Sequence, residues 1–337
     1  MAPAVPLSLS NFWTSQRCVK LPIPTKSFAG KTVIVTGSNS GMGLEAARHI
    51  VRLGAEKTIL AVRSLERGQV AAQSIQETTH CSKDAIEVWQ VDLADYSSIK
   101  AFAERANTLR RLDVVVENAG TLTYKYQEID GDESCVRINT LGTLFMALTL
   151  LPKLRATAEE FDTDVVLTFN GSWMHWTTDF PEQNAEKIFE ELADEKSARM
   201  AERYPTSKLI LLLAFRQLHA QLRQPSKGHI ITSYVNPGGV ATDITREMNG
   251  FLSSIFLKVL AKTFLRTAEE GGRTLVHAAE GGRDTDGKYL DDCRSDRPEV
   301  VSPFVTSERG EKIAVKVWKE VLERFESVQP GISKNFR

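Results

Sequence analysis

The sequence predicts an α/β protein built on one doubly wound parallel sheet of about seven strands with helices on both faces. Three observations lead there. Short apolar, β-branched runs alternate with segments of helical periodicity. Those runs are continuously apolar, as strands covered on both sides require. No shift of composition divides the 337 residues, so a single domain with tails is expected.

Taken in order, Thr32-Val33-Ile34-Val35 is the first strand, and a helix over 44–53 follows it, ended by Gly54. Strand 58–62, helix 65–77, strand 86–91, helix 96–109 and strand 113–116 repeat the unit. Next come a helix over 133–151, interrupted near Gly142, a strand over 165–169, a polar helical insert within 181–200, a helix over 204–222 and a strand over 230–235. An amphipathic helix is expected over 251–265, with Ser253, Ser254, Lys258 and Lys262 on its polar side. A short final strand, Lys288-Tyr289-Leu290, precedes a helix over 311–325 and a polar tail. The organisation is an N-terminal extension (1–27), a main domain (28–306) with an insert at 173–200 and a region at 245–270 whose helix fits a substrate lid, the preferred reading, a membrane-surface helix or an oligomer contact, and a C-terminal helix and tail (307–337).

Lys plus Arg number 42 against 43 Asp plus Glu, so no overall field draws the chain to nucleic acid or an anionic surface. Cys18, Cys81, Cys135 and Cys293 are scattered, which argues against a disulfide framework and a zinc site and for a reducing, cytoplasmic setting. No metal is expected, because His175 has no carboxylate or histidine at ligand spacing. The amino terminus lacks a basic start followed by an apolar run, and no stretch reaches the ~18 consecutive apolar residues of a membrane span. The apolar run Leu209–Phe215 fits either core packing or a homodimer contact.

Thr36-Gly37-Ser38-Asn39-Ser40-Gly41-Met42-Gly43 closes the first strand and opens a helix. Glycines there let the backbone bend tightly and approach a pyrophosphate, whose charge meets the unpaired N–H groups of the helix start. The turn makes the fold Rossmann-like. The second strand ends Ala61-Val62-Arg63-Ser64, with no acid to bond a ribose 2′-hydroxyl. Arg63 suits a 2′-phosphate, with Ser38, Asn39 and Ser64 as further donors, so NADP(H) is the expected cofactor.

Tyr204 and Lys208 stand four apart on one predicted helix and therefore share a face. Reducing a carbonyl needs a hydride to carbon and a proton to oxygen. A phenol of ordinary pKa, about 10, is a reluctant donor, and a neighbouring ammonium favours the phenolate and lowers it. Ser172 lies just past a strand end, where its hydroxyl can hold a substrate oxygen.

These residues resemble the short-chain dehydrogenase/reductase superfamily, in the order Gly37–Gly43 turn, Asp92-Leu93, Asn118-Ala119-Gly120, Asn139, Ser172, Tyr204/Lys208 and Pro237-Gly238 with Thr242. Phe28-Ala29-Gly30-Lys31 and Ala61-Val62-Arg63 look like its retinol-dehydrogenase and WW-domain-oxidoreductase-like branch. The resemblance implies that Asp92 binds the adenine, Asn118 lines the nicotinamide ribose, Lys208 bonds that ribose, and Thr242 steadies the carboxamide. It further implies that Leu93, Ala119, Gly120, Pro237, Gly238 and Val240 line the cofactor, and that Asn139 anchors a water linking Lys208 to solvent. The chain departs from the pattern at Glu117, where asparagine is commoner, and in the long spacing from Ser172 to Tyr204.

Trp173, His175 and Trp176 follow Ser172 directly and are candidate walls for a bulky, partly apolar substrate, with Tyr204 and Ser172 at its oxygen. Packing of the insert onto the sheet explains the tryptophans as well, and a hydrogen-bonded structural role explains His175. The expected activity is reduction of a ketone or aldehyde by NADPH, and the resemblance implies a biosynthetic pathway of the secondary-metabolism kind. Two rivals remain: a redox-neutral isomerase, dehydratase or cyclase on this fold, and a nucleotide-binding interaction protein without turnover.

Overall fold

The computed structural model describes residues 9–241 and 265–337. Strands β1 (Thr32–Thr36), β2 (Lys57–Val62), β3 (Ile86–Gln90), β4 (Val114–Glu117), β5 (Asp164–Asn170), β6 (His229–Asn236) and β7 (Lys288–Asp291) form one sheet in the order β3-β2-β1-β4-β5-β6-β7. Every pairing in it is parallel. All seven expected strands are present, with ends differing by a residue or so.

Side chains alternate across the strands with a period of two. Ile34 and Val115 join the core on one face, and Val33, Val35, Val114 and Val116 join the other. The first face is covered by α4 (Tyr96–Asn107), α5 (Thr143–Phe161), α6 (Met200–Gln221) and α8 (Glu308–Val328). The second is covered by α2 (Gly41–Arg52), α3 (Leu65–Thr79) and α7 (Ala268–Ala279). α7 was not anticipated, although Thr267 and Glu270 form a capping box at its start.

The strand order reverses between β1 and β4, and a doubly wound sheet opens its ligand crevice at that point. The Gly37 turn after β1 and Asn118-Ala119-Gly120 after β4 therefore lie side by side. A methyl group at Gly37, whose φ is +64°, would come within 2.8 Å of the Ala119 Cα. One at Gly43 would meet the Asn118 amide at 2.4 Å, so both glycines are set by the close approach of the two loops.

Of the two readings open for the Leu209–Phe215 run, core packing is the one observed: the run is buried within the chain, sharing a core with Trp318, Val321 and Phe325 of α8. Other expectations need correcting. The C-terminal tail is not a free polar end. Phe336 is fully buried with its ring 5.4 Å from that of Trp318, and its carbonyl accepts from the Arg223 N–H at 2.7 Å. The helix bearing Tyr204 begins a turn early, at Met200, and takes Pro205 inside it. The insert is two short 3-10 turns (Trp173–Trp176, Pro181–Asn184) and a helix (Ile188–Ala193) instead of a continuous polar helix. A further helix, α1 (Leu9–Cys18), occupies the extension.

Among the described residues one helical stretch, Ser134–Phe161, is long and apolar enough to cross a membrane, but 94% of its apolar window is buried inside the fold, which is the signature of a core helix. Its interruption near Gly142 is a π segment, Arg137–Gly142, a local widening often found at functional sites. A Cβ at Gly142 would strike the Leu93 carbonyl oxygen at 2.1 Å, so this segment can pack on the loop after β3 only as glycine. The amphipathic helix expected over 251–265 lies, except for Leu265, outside the described residues, and so does Thr242.

Candidate active site

Tyr204, Lys208, Ser172 and Asn139 converge at the C-terminal ends of β4 and β5. Lys208 is almost wholly buried, and its Nζ donates to the Asn170 carbonyl at 2.7 Å and lies 5.8 Å from the centre of the Tyr204 ring. An ammonium has three N–H donors, so two remain for a ligand. Beneath it, the Tyr234 hydroxyl donates to the Lys208 carbonyl at 2.7 Å, and the Tyr234 ring fills the space that a side chain at Gly171 would take.

Burial governs both titrations. It pushes the Tyr204 phenol up to about 12, against a smaller opposite pull from the Ser172 hydroxyl. The same desolvation lowers Lys208 to about 8. The phenol of the chain by itself therefore lies above its ordinary value and not below it as expected, because removing the phenolate from water costs more than the Ser172 hydrogen bond returns. Tyr204 as a whole is only partly buried.

Asn139 sits in the π segment and is fully buried. Its Nδ2 donates to the Thr121 carbonyl (2.8 Å) and the Ser207 hydroxyl (3.1 Å), and its Oδ1 accepts from the Thr121 N–H (2.7 Å). With both amide protons engaged, only the second lone pair of Oδ1 is left for a water. A Cβ on Gly120 would lie 3.2 Å from that Oδ1 and 3.8 Å from Lys208 Nζ, so the glycine keeps the gap between them open.

Ser172 caps the Trp173–Trp176 turn, accepting from the Met174 N–H at 3.1 Å. His175 turns away from the cleft and is a correction to its place among the substrate-contacting residues. Its Nε2 accepts from the Ser302 N–H (3.1 Å), which leaves Nδ1–H to donate to the Ser172 carbonyl (2.7 Å), and burial lowers its pKa to about 4. Trp176 donates its indole N–H to the Val300 carbonyl at 2.8 Å and so packs on the C-terminal segment. Trp173 faces the ring of Phe12.

The dinucleotide turn divides its labour. Gly37 and Gly41 both hold positive φ. Ser40 is the N-cap of α2 and its hydroxyl makes no capping bond, which leaves it for a phosphate. Ser38 differs from expectation: its hydroxyl is buried and donates to the Val35 carbonyl at 2.8 Å, so the side chain shapes the turn and only its backbone is available. Met42 packs against Gly271 of α7 and likewise offers backbone. Arg63 is exposed, and its guanidinium has no hydrogen-bond or ion-pair partner among the described residues. Asp92 accepts from the Ala94 N–H (2.9 Å) through one oxygen, and Leu93 is buried against Gly142.

Asn118 braces the turn more than it lines the ribose. Its Nδ2 donates to the carbonyls of Thr36 (2.8 Å) and Gly37 (3.3 Å), and its Oδ1 accepts from Asn170 (3.2 Å). Thr36 completes this hub by accepting from the N–H groups of Asn118 (2.8 Å) and Ala119 (3.0 Å). The buried Glu117 carboxyl shares the same hydroxyl at 3.2 Å, and desolvation raises its pKa to about 8.

Sequence reasoning missed three supports. Asn170 provides the carbonyl that holds Lys208. Asn236, at the end of β6, accepts from the N–H groups of Trp173 (3.0 Å) and Gly238 (3.1 Å) and joins the two loops. Arg203, 1% exposed, lies between Glu182 of the insert (3.1 Å) and Glu133 (3.7 Å), which clamps the insert to the residue before Tyr204. An asparagine closing a strand beside Pro237-Gly238 was a visible cue for the second. Past it, the Pro237 carbonyl accepts from Arg266 at 2.9 Å, and Val240 bridges to Arg266.

Fold and site define the class: a Rossmann-fold oxidoreductase. A family model described as short chain dehydrogenase matches residues 31–166. Short chain dehydrogenase/reductase dmxR8 of Cryptosporiopsis sp. (strain 8999) is 39% identical over 334 residues, covering 97% of this chain and 100% of the relative. Short chain dehydrogenase atnD of Emericella nidulans is 43% identical over 293 residues, with 84% and 90% covered. The chain belongs to the short-chain dehydrogenase/reductase family. Among solved structures it resembles L-sorbose reductase from Gluconobacter frateurii, complexed with NADPH and L-sorbose, at a TM-score of 0.59 and 19% identity, covering 80% of this chain and 98% of that one; the likeness is one of fold.

Proposed function

We propose that this protein is an NADP(H)-dependent ketone or aldehyde reductase acting on a bulky, partly apolar substrate in a fungal biosynthetic pathway, in the cytoplasm. The observation that carries the reading is the convergence of Tyr204, Lys208 and Ser172 beside a glycine turn that any side chain at Gly37 or Gly43 would obstruct. The residues fit a dinucleotide: Ser40 and the start of α2 would hold a phosphate, Arg63, without a partner among the described residues, suits a 2′-phosphate, and Lys208 keeps two donors for a ribose. NADP(H)-containing relatives of the fold, such as the sorbose reductase, are in accord with this choice.

When bound, the nicotinamide supplies the hydride. Ser172 orients the substrate carbonyl and Tyr204 gives its oxygen a proton. A phenol held near 12 donates only to a strongly basic oxygen, which a carbonyl oxygen becomes as it is reduced. Lys208, still cationic at neutral pH, favours the phenolate left behind, and Asn139 fixes the Thr121 loop against α6 so that this geometry persists.

The test is oxidation of NADPH, followed by absorbance, with a panel of bulky ketones. Tyr204→Phe should lower kcat by roughly 100-fold or more while NADPH still binds. Unchanged turnover in that variant removes the catalytic assignment, and product formation without NADPH consumption favours a redox-neutral reaction.

A further inference from the structure

The N-terminal extension has no part in the nucleotide turn or the Tyr204 group, yet α1 lies over the substrate side of the cleft. The Phe12 ring is centred 4.9 Å from that of Trp173, tilted by 49°. The same ring would be 3.2 Å from a Cβ on Gly239, so it closes on the loop after β6 as well. Trp173 is itself fixed, because its N–H is held by Asn236 and its chain neighbour is Ser172. Gln16, with its amide turned so that both ends are satisfied, donates to the Gly239 carbonyl at 2.9 Å and accepts from the Gly239 N–H at 3.2 Å.

The helix is anchored from beneath by a buried charge cluster. The Ser15 hydroxyl donates to Asp292 at 2.7 Å, and Arg266 reaches the Ser15 carbonyl (3.0 Å), Asp292 (2.5 Å) and the Pro237 carbonyl (2.9 Å) in one guanidinium. Arg297 donates to the second oxygen of Asp292 at 3.1 Å. The charges pair with one another, and α1 joins them through the hydroxyl and carbonyl of Ser15, two charge-assisted hydrogen bonds that tie it to the β6 and β7 ends. A loosely attached extension would need none of this.

The geometry points to α1 as the outer wall of the substrate site, with Phe12 and Trp173 forming an aromatic face that selects flat aryl or polycyclic carbonyl compounds and Gln16 fixing its distance from Gly239. The inference rests on the carbonyl-reductase reading of the cleft. Neither ring is fully buried, so a planar substrate can stack on one or both of them. Phe12 and Gln16 are thus specificity-determining residues contributed from the opposite end of the chain.

Phe12→Ala and the volume-sparing Phe12→Leu would be compared with the full-length protein on tetralone, a bicyclic aryl ketone, and biacetyl, a small one. Loss of a stacking ring should lower the tetralone-to-biacetyl ratio of kcat/KM by roughly tenfold, mainly through KM for tetralone. Titration of NADPH fluorescence reports separately on the cofactor site. An unchanged ratio in both variants, or an equal loss on both ketones, overturns the wall. If the full-length protein reduces neither ketone, the redox reading fails on these probes, and calorimetric binding of naphthol to the protein with NADP present decides the wall instead. A roughly tenfold weaker affinity in Phe12→Ala supports it, whereas equal affinity, or no naphthol binding to the unsubstituted protein, overturns it.

Discussion

The Nζ of Lys208 donates to the main-chain carbonyl of Asn170 at 2.7 Å, which ties the lysine of α6 to the last residue of β5. That bond aims the ammonium into the crevice and sets its distance from Tyr204. It also explains how a nearly buried cation is tolerated, since one strong acceptor replaces part of its lost hydration.

Burial lowers Lys208 to about 8, so the ammonium is lost as pH rises through that value. Reduction should therefore decline above a limb near pH 8 in a profile of kcat/KM. Lys208→Met, which cannot titrate, should lose the limb and roughly 100-fold in kcat/KM. A profile of unchanged shape in the variant assigns the limb to another group.

Glu117 makes an opposite statement about stability. Its folded pKa is raised from 4.5 to about 8, so between those values the unfolded chain has released a proton that the native chain keeps. Stability contributed by the neutral acid is complete below pH 4.5 and is lost as pH rises through about 8. Glu117→Gln should flatten that decline and, relative to its effect at low pH, gain roughly 5 kcal/mol at the alkaline end. Urea denaturation across the range measures it.

Arg63 is the expected discriminator between NADP(H) and NAD(H). Arg63→Ala should weaken NADPH roughly tenfold or more, the value of one charge-assisted phosphate contact, and leave NADH nearly unchanged. Fluorescence titration with both nucleotides gives the answer. Equal losses for the two would mean that the 2′-phosphate is held elsewhere.

Phe336 tests the C-terminal tail. Emptying its buried site in Phe336→Ala should cost roughly 3 kcal/mol or more and lower Tm by several degrees. Nucleotide affinity measured well below Tm should stay the same, because the tail packs on Trp318, on α5 and on Arg223 just past α6, and not on the glycine turn.

Much of this molecule is written locally in its sequence. The seven strands follow from continuous apolar runs, the nucleotide turn from glycines at a strand-to-helix junction, and the Tyr204/Lys208 pairing from a four-residue helical spacing. Each depends on neighbours within one or two turns of chain, where periodicity and backbone sterics act directly. The face of a side chain within an irregular turn has no such period. His175 and Trp176 read as pocket walls for that reason, and only a bond across 127 residues to Ser302 turned the imidazole inward.

The tertiary structure alone decided the rest. The Asn170 carbonyl has no side-chain identity to read, and the positions of Asn236 and Arg203 depend on which strand ends and loops the sheet order brings together. The extension and the tail are the extreme cases. Ser15 meets Asp292 across 277 residues, and Phe336 enters a core formed by helices far earlier in the chain. Short polar segments at chain ends carry little local signal, and what fixes them is apolar surface and charge presented by partners that exist only once the sheet has formed.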